Sequence, residues 1–172
     1  MKKLLKDMGM VNTSFKIELY DSDIFLNKGR DKLLFNFSAN KGGLLGPLSK
    51  TASSGELSRI MLALKSILSN YKNLPTIIFD EIDTGVSGEI ANCIGRIMKS
   101  MSINMQVISI THLPQVAAKA NNHLKVFKIT RNEKTSTELK NLNINERVSE
   151  IAEMLSGDES AVSAYDLAKE LL

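Results

Sequence analysis

The sequence predicts an α/β fold, and three observations carry that prediction. Two short β-branched runs, residues 75–80 and 106–111, end at polar or charged residues, as parallel strands do where they meet a ligand crevice. Stretches with apolar residues at helical spacing lie beside these runs. Two further pairs of segments alternate apolar and polar residues, the pattern of half-buried antiparallel strands.

Taken in order, Phe15, Ile17 and Leu19 alternate with Lys16 and Glu18, and Leu33, Phe35 and Phe37 alternate likewise. The turn-rich connector 27–31 between them predicts an antiparallel pair. Residues 40–50 form a glycine-containing loop that leads into a helix marked by Leu57, Ile60, Met61, Leu64, Ile67 and Leu68. The strand 75–80 follows, then a helix marked by Ile90, Ala91, Ile94, Ile97, Met98 and Met101. After the strand 106–111, Pro114 opens a short helix to about residue 120. Segments 124–130 and 135–142 read as a hairpin around residues 132–134. Val148, Ile151, Ala152 and Leu155 mark a helix that stops at Gly157, and Ala161, Ala164, Tyr165, Ala168 and Leu172 mark a last one. No internal repeat or low-complexity tract interrupts this order, so 1–172 reads as one domain.

Three motifs carry chemistry. The run Phe79-Asp80-Glu81-Ile82-Asp83 places two adjacent carboxylates at the end of a strand, where successive side chains point to opposite sides. One such carboxylate suits Mg²⁺, and the other suits orienting or deprotonating a water that attacks phosphate. By itself, a buried strand running into a charged turn explains the run equally well. Upstream, Thr51-Ala52-Ser53-Ser54-Gly55-Glu56 runs straight into a helix. Ser53 and Glu56, three apart, fit a capping box. A capping box needs neither Gly55 nor the repeated serine, whereas a phosphate at a helix N-terminus uses free N–H groups and a glycine that allows close approach. Downstream, His112 ends a strand predicted to share the ligand edge with Asp80 and Glu81. A lone histidine after a strand is more often structural, but beside a phosphate site it suits contact with the terminal phosphate.

These motifs, quoted as ASSGELSRIMLALKSIL, PTIIFDEIDTGVSG and VISITHLPQVAAKANNH, resemble the RecN family of DNA repair proteins. That family belongs to the ABC-type ATPases related to the structural-maintenance-of-chromosomes (SMC) proteins. The similarity runs from about Leu5 to the end. A transporter ATPase is the poorer match, because the turn after Glu81 reads Ile-Asp-Thr-Gly-Val-Ser-Gly instead of a Ser-Ala-Leu-Asp-like sequence. The resemblance implies the C-terminal lobe of a P-loop NTPase (ABC/SMC-like) head, with a mixed sheet, flanking helices and antiparallel hairpins. It implies ATP and Mg²⁺ as cofactors. By position, Asp80 matches the Walker B aspartate that supports Mg²⁺, Glu81 the catalytic glutamate, and His112 the switch histidine. Asp83 falls in the D-loop. Ser53, Ser54, Gly55 and Glu56 match the signature that contacts ATP held by an opposite subunit. The family usually reads Ser-Gly-Gly-Glu, so Ser54 stands at a glycine position and would be strained if that position needed a positive φ.

No Gly-x-x-x-x-Gly-Lys-Ser/Thr loop occurs among the ten glycines. In the family that loop lies in the N-terminal half, before a long coiled coil. The expectation is therefore half a head, with residues 1–10 as the end of the returning coil. The implied partners are the N-terminal half of the same head, a second head across sandwiched nucleotide, and DNA through the full-length protein. Repair of double-strand breaks and recombination is the implied role. A non-hydrolysing binding or regulatory module of the same fold is the alternative.

Composition fits a cytoplasmic protein without a membrane segment. The 172 residues are 43% hydrophobic, enough for a core, and no apolar run approaches the roughly 20 residues that cross a bilayer. One cysteine, Cys93, excludes an internal disulfide and reads as a packing residue. The net charge of +3 lacks the clustering that would argue for a nucleic-acid patch. No zinc-ligand spacing is present.

Overall fold

The computed structural model describes residues 1–27, 29–69, 71, 74–80, 82–131, 133–157 and 162–172. The chain divides into two compact units, Met1–Lys72 and Asn73–Leu172.

The first unit opens with a short helix, α1 (Lys2–Asp7), whose Leu5 is fully buried, and α1 packs against a later helix, α3 (Ser54–Ser69). Strands β1 (Ser14–Leu26) and β2 (Gly29–Ser38) pair antiparallel, with Phe15 opposite Phe37, Ile17 opposite Phe35 and Leu19 opposite Leu33. The alternation in the sequence therefore set both the pairing and its register. The Phe15 and Phe37 rings lie 5.0 Å apart, and Phe37 is fully buried. Both strands run longer than the alternation indicated, with an irregularity between Asp21 and Leu26 that the sequence pattern does not announce. The loop 40–50 contains two short elements, β3 (Gly46–Pro47) and α2 (Leu48–Thr51).

On α3 the buried positions are Ile60, Leu62, Ala63 and Ser69. Leu57, Met61 and Leu68 remain exposed. The expected apolar face is thus only partly covered. Its Leu57-Met61-Leu68 stripe falls on one side of the helix, and Leu62 and Ala63, absent from the periodic reading, are buried in its place.

In the second unit, β4 (Thr76–Asp80) and β5 (Gln106–Ile110) form a parallel pair in which Asp80 is opposite Ile110. Parallel strands require a crossover, and α4 (Gly88–Met101) supplies it. Ala91, Ile94, Ile97, Met98 and Met101 are buried on α4 as its periodicity indicated, and Cys93 is buried with them. Next come α5 (Pro114–Ala117), the antiparallel hairpin of β6 (Leu124–Arg131) and β7 (Lys134–Asn141), α6 (Ile144–Ser156) and α7 (Val162–Leu171). Asn132, in the expected hairpin turn, and Ala161, at the start of the last helix, lie outside the described residues.

A small apolar cluster joins α5, α6 and α7 through Ala117, Ala118, Ile151, Ala152, Ala164 and Ala168. Alanines dominate it, so the helices approach closely. α6 is held at both ends. The Asn143 side chain accepts from the Asn145 and Glu146 amides, and Glu146 reaches back to the Asn143 amide at 2.9 Å. Gly157 closes the helix with φ 70°, a conformation glycine adopts without Cβ strain. Lys125 on β6 bonds to Glu150 and Glu153 of α6, and these contacts raise its pKa, the Glu150 bond most of all.

The architecture is thus α/β. Parallel and antiparallel pairing both occur, distributed over three small sheets among the described residues. No helix among the described residues is long and apolar enough to cross a membrane.

Candidate functional site

Because β4 and β5 run parallel, their carboxyl ends lie at the same edge. Asp80 is the last residue of β4, and His112 follows β5 by two residues. The structure therefore brings Asp80, the turn after it and His112 to one edge of one sheet, as strand topology alone requires. Asp80 and His112 are both exposed. Asp80 lies on the same strand face as Thr76 and Ile78, which are also exposed, whereas Phe79 faces the other way and is buried. Glu81 lies outside the described residues.

The turn after β4 is built around Asp83. Its carbonyl accepts from the Val86 amide at 3.3 Å, and Gly85 has φ 74°. Nothing lies within 4 Å of a Cβ added at Gly85, so the glycine is needed for conformation and not for space. The Asp83 side chain is only 1% exposed. Its Oδ2 accepts from the Thr111 hydroxyl, and its Oδ1 has no hydrogen-bond partner among the described residues. Thr111 Oγ1 in turn accepts from the Leu113 amide at 3.0 Å. Thr111 did not stand out in the sequence, where it reads as one more β-branched strand residue. The signal lay in its place before a histidine and its hydroxyl, which a purely apolar strand end would lack.

Ser53, Ser54, Gly55 and Glu56 lie in the first unit, at the start of α3. The capping box is formed. Glu56 Oε2 accepts from both the amide and the hydroxyl of Ser53 at 2.8 Å, and the Glu56 amide approaches Ser53 Oγ at 3.4 Å. Ser54 is the first residue of α3 and is not among the positive-φ residues. The strain that a serine would suffer at a left-handed position therefore does not arise. Ser53 and Ser54 are exposed, so this helix start is open to a ligand as well as capped.

An oxygen donor set suits a hard cation. The exposed Asp80 carboxylate at a strand end is of the right chemistry for Mg²⁺, which binds through one or two carboxylates and keeps several waters.

No family model matches the chain. It is 42% identical over 172 residues to the DNA repair protein RecN of Halalkalibacterium halodurans, covering 98% of this chain and 30% of that protein. It is 45% identical over 168 residues to RecN of Rickettsia typhi, again over 98% of this chain and 30% of the relative. With RecN of Bacillus subtilis it shares 48% identity over 145 residues, 84% of this chain and 25% of the relative. The chain thus spans about 30% of the length of the first two relatives. Among solved structures, the Smc head domain with a coiled coil and joint from Pyrococcus yayanosii matches with a TM-score of 0.62 and 18% identity, covering 98% of this chain and 28% of that one. A chain solved in work on ATP-driven dimerization and DNA-stimulated activation of SMC ATPases matches with a TM-score of 0.58 and 17% identity, over 90% of this chain and 88% of that one. At these identities the structural matches establish the fold alone, one shared with Smc head domains.

Proposed function

We propose, on the premise that this chain is a stretch of RecN-family sequence, that it is the C-terminal lobe of a DNA repair ATPase head. In this reading both compact units belong to one head, and residues 1–10 end a returning coil. The phosphate-binding loop comes from an N-terminal half of the same head. Two heads close around nucleotide, and DNA is engaged by the full-length protein.

The observation that carries the reading is the shared carboxyl edge of β4 and β5, with Asp80 ending β4 and His112 just beyond β5. Asp80 would hold Mg²⁺ there, and the ion would neutralise charge on the transferring phosphoryl group. Glu81 orients the attacking water and accepts its proton, as a carboxylate within hydrogen-bond reach of a water can. His112 donates to the terminal phosphate and stabilises charge as the bond to the leaving group breaks. On the opposite head, Ser54 offers a hydroxyl and an amide at an exposed helix start, Ser53 exchanges its bonds to Glu56 for bonds to phosphate, and Gly55 lets the phosphate approach the backbone. Until that exchange Glu56 is engaged with Ser53, so its part is to hold that helix start in shape. Asp83 anchors the turn between the two sites.

Glu81→Gln in the full-length parent tests this. ATP binding should persist while hydrolysis falls at least about 100-fold, the scale of a lost general base. Hydrolysis by Glu81→Gln at the parent rate would remove Glu81 from the chemistry, whereas a parent protein that binds ATP and does not hydrolyse it would favour the non-hydrolysing binding module.

A further inference from the structure

We propose that Thr111 is a positioning residue for His112, and that it acts by joining the His112 loop to the Asp83 turn. The proposal rests on the reading of His112 given above.

A threonine hydroxyl has one proton to donate and lone pairs to accept with. Thr111 uses both kinds of site. It donates to Asp83 Oδ2 and accepts from the Leu113 amide. The second bond spans His112, because the threonine precedes the histidine and the Leu113 amide follows it. The side chain thus closes a small ring over the His112 backbone, a local side-chain-to-backbone turn of the kind serine and threonine form. Beyond the ring the chain is fixed at once. The Leu113 carbonyl accepts from the Val116 and Ala117 amides at 3.1 and 3.0 Å, which starts α5. Pro114 and Val116 on α5 are buried. α5 is itself set closely against α4, where a Cβ added at Gly95 would meet the Gln115 carbonyl at 3.1 Å.

His112 therefore lies on an exposed loop whose backbone is tied on both sides. One tie runs through Thr111 to Asp83, in the turn that follows the paired carboxylates. This tie is an expensive one to keep for stability alone. Asp83 is a buried carboxylate with one oxygen unpartnered among the described residues, and burying such a group disfavours folding. Its return is geometric. It makes the position of His112 depend on the turn that carries Asp83, so the two loops at the shared strand edge move together.

The test uses the full-length parent protein and steady-state ATP hydrolysis by Thr111→Val, Thr111→Ser, His112→Ala and the Thr111→Val/His112→Ala double variant. Valine keeps the shape of threonine and removes both bonds, whereas serine keeps the hydroxyl. Thr111→Val should lower kcat about tenfold or more with KM for ATP within about twofold, the signature of a misplaced group instead of a lost binding contact. Thr111→Ser should restore most of the rate. In the double variant Thr111→Val should add nothing to the loss from His112→Ala, because it acts through that residue. Should Thr111→Val lower the melting temperature, Thr111→Ala against Thr111→Ser gives the same comparison. A slow His112→Ala beside a Thr111→Val at the parent rate would overturn the proposal and leave the function of His112 intact. Equal, multiplicative losses in the double variant would also overturn it. His112→Ala at the parent kcat would instead overturn the reading of His112 itself, and the proposal with it.

Discussion

Ser54 shows how a residue-scale question is answered by backbone geometry. At the position proposed here as part of a signature, where the family it resembles usually has glycine, a serine would be costly only with a positive φ. Here it begins α3 without one, so the substitution carries no strain. Ser54→Gly is therefore expected to leave the melting temperature unchanged or lower it by a few degrees, since glycine disfavours helix by up to about 1 kcal/mol. A clear rise in melting temperature on Ser54→Gly would show that strain is present after all. At this scale the sequence was informative where a pattern is local. Ser53 and Glu56 form the capping box that their spacing indicated. The tie between Asp83 and Thr111 was not legible, because 28 residues separate the partners and only the parallel pairing of β4 and β5 brings them together.

Elements with strong local signals followed the sequence closely. The β1–β2 and β6–β7 pairings, α4, and the stop of α6 at Gly157 all rest on alternation, helical spacing or a terminating glycine. The burial of α3 did not follow, because a helix with apolar residues on more than one side does not reveal which side will be covered. The capped start of α6 has a consequence for pH. Hydrogen bonds from Lys140, and then from the Asn143 amide, hold the Glu146 carboxyl below the usual carboxylate range. A depressed carboxylate contributes stability that is present above its unfolded pKa and lost as pH falls through its folded pKa. The difference in melting temperature between the parent head and Glu146→Gln should therefore shrink as pH is lowered from 7 to about 3, through the range where carboxylates titrate. A difference that stays constant across that range would count against this role for the cap.

At the scale of the molecule, the most informative feature is apolar strand surface left open to solvent. On the β4–β5 pair, Ile78, Ile108 and Ile110 are 62%, 41% and 55% exposed, on the same face as Asp80. On β6–β7, Leu124, Val126 and Leu139 are exposed too. Sheet faces of this kind mark surfaces that pack against further protein. An N-terminal half of the head accounts for that surface in the reading proposed here. The isolated chain should therefore self-associate, and light scattering on the purified chain should show mixed or oligomeric species. A monodisperse monomer with a cooperative melt would contradict this expectation. Fold class was readable at this scale from the order of strands and helices. Which residues a partner would cover was not, because Ile78 and Ile110 read from sequence as ordinary buried strand residues.

The central claim is that this chain is one half of an ATP-hydrolysing head. Steady-state ATPase activity, measured on the chain alone and mixed with the N-terminal half of its parent, tests that claim most directly. The account expects no hydrolysis from the chain alone, activity in the mixture, and loss of that activity when the chain carries Glu81→Gln. A folded mixture that binds ATP without hydrolysing it, or activity indifferent to Glu81→Gln, would contradict the account.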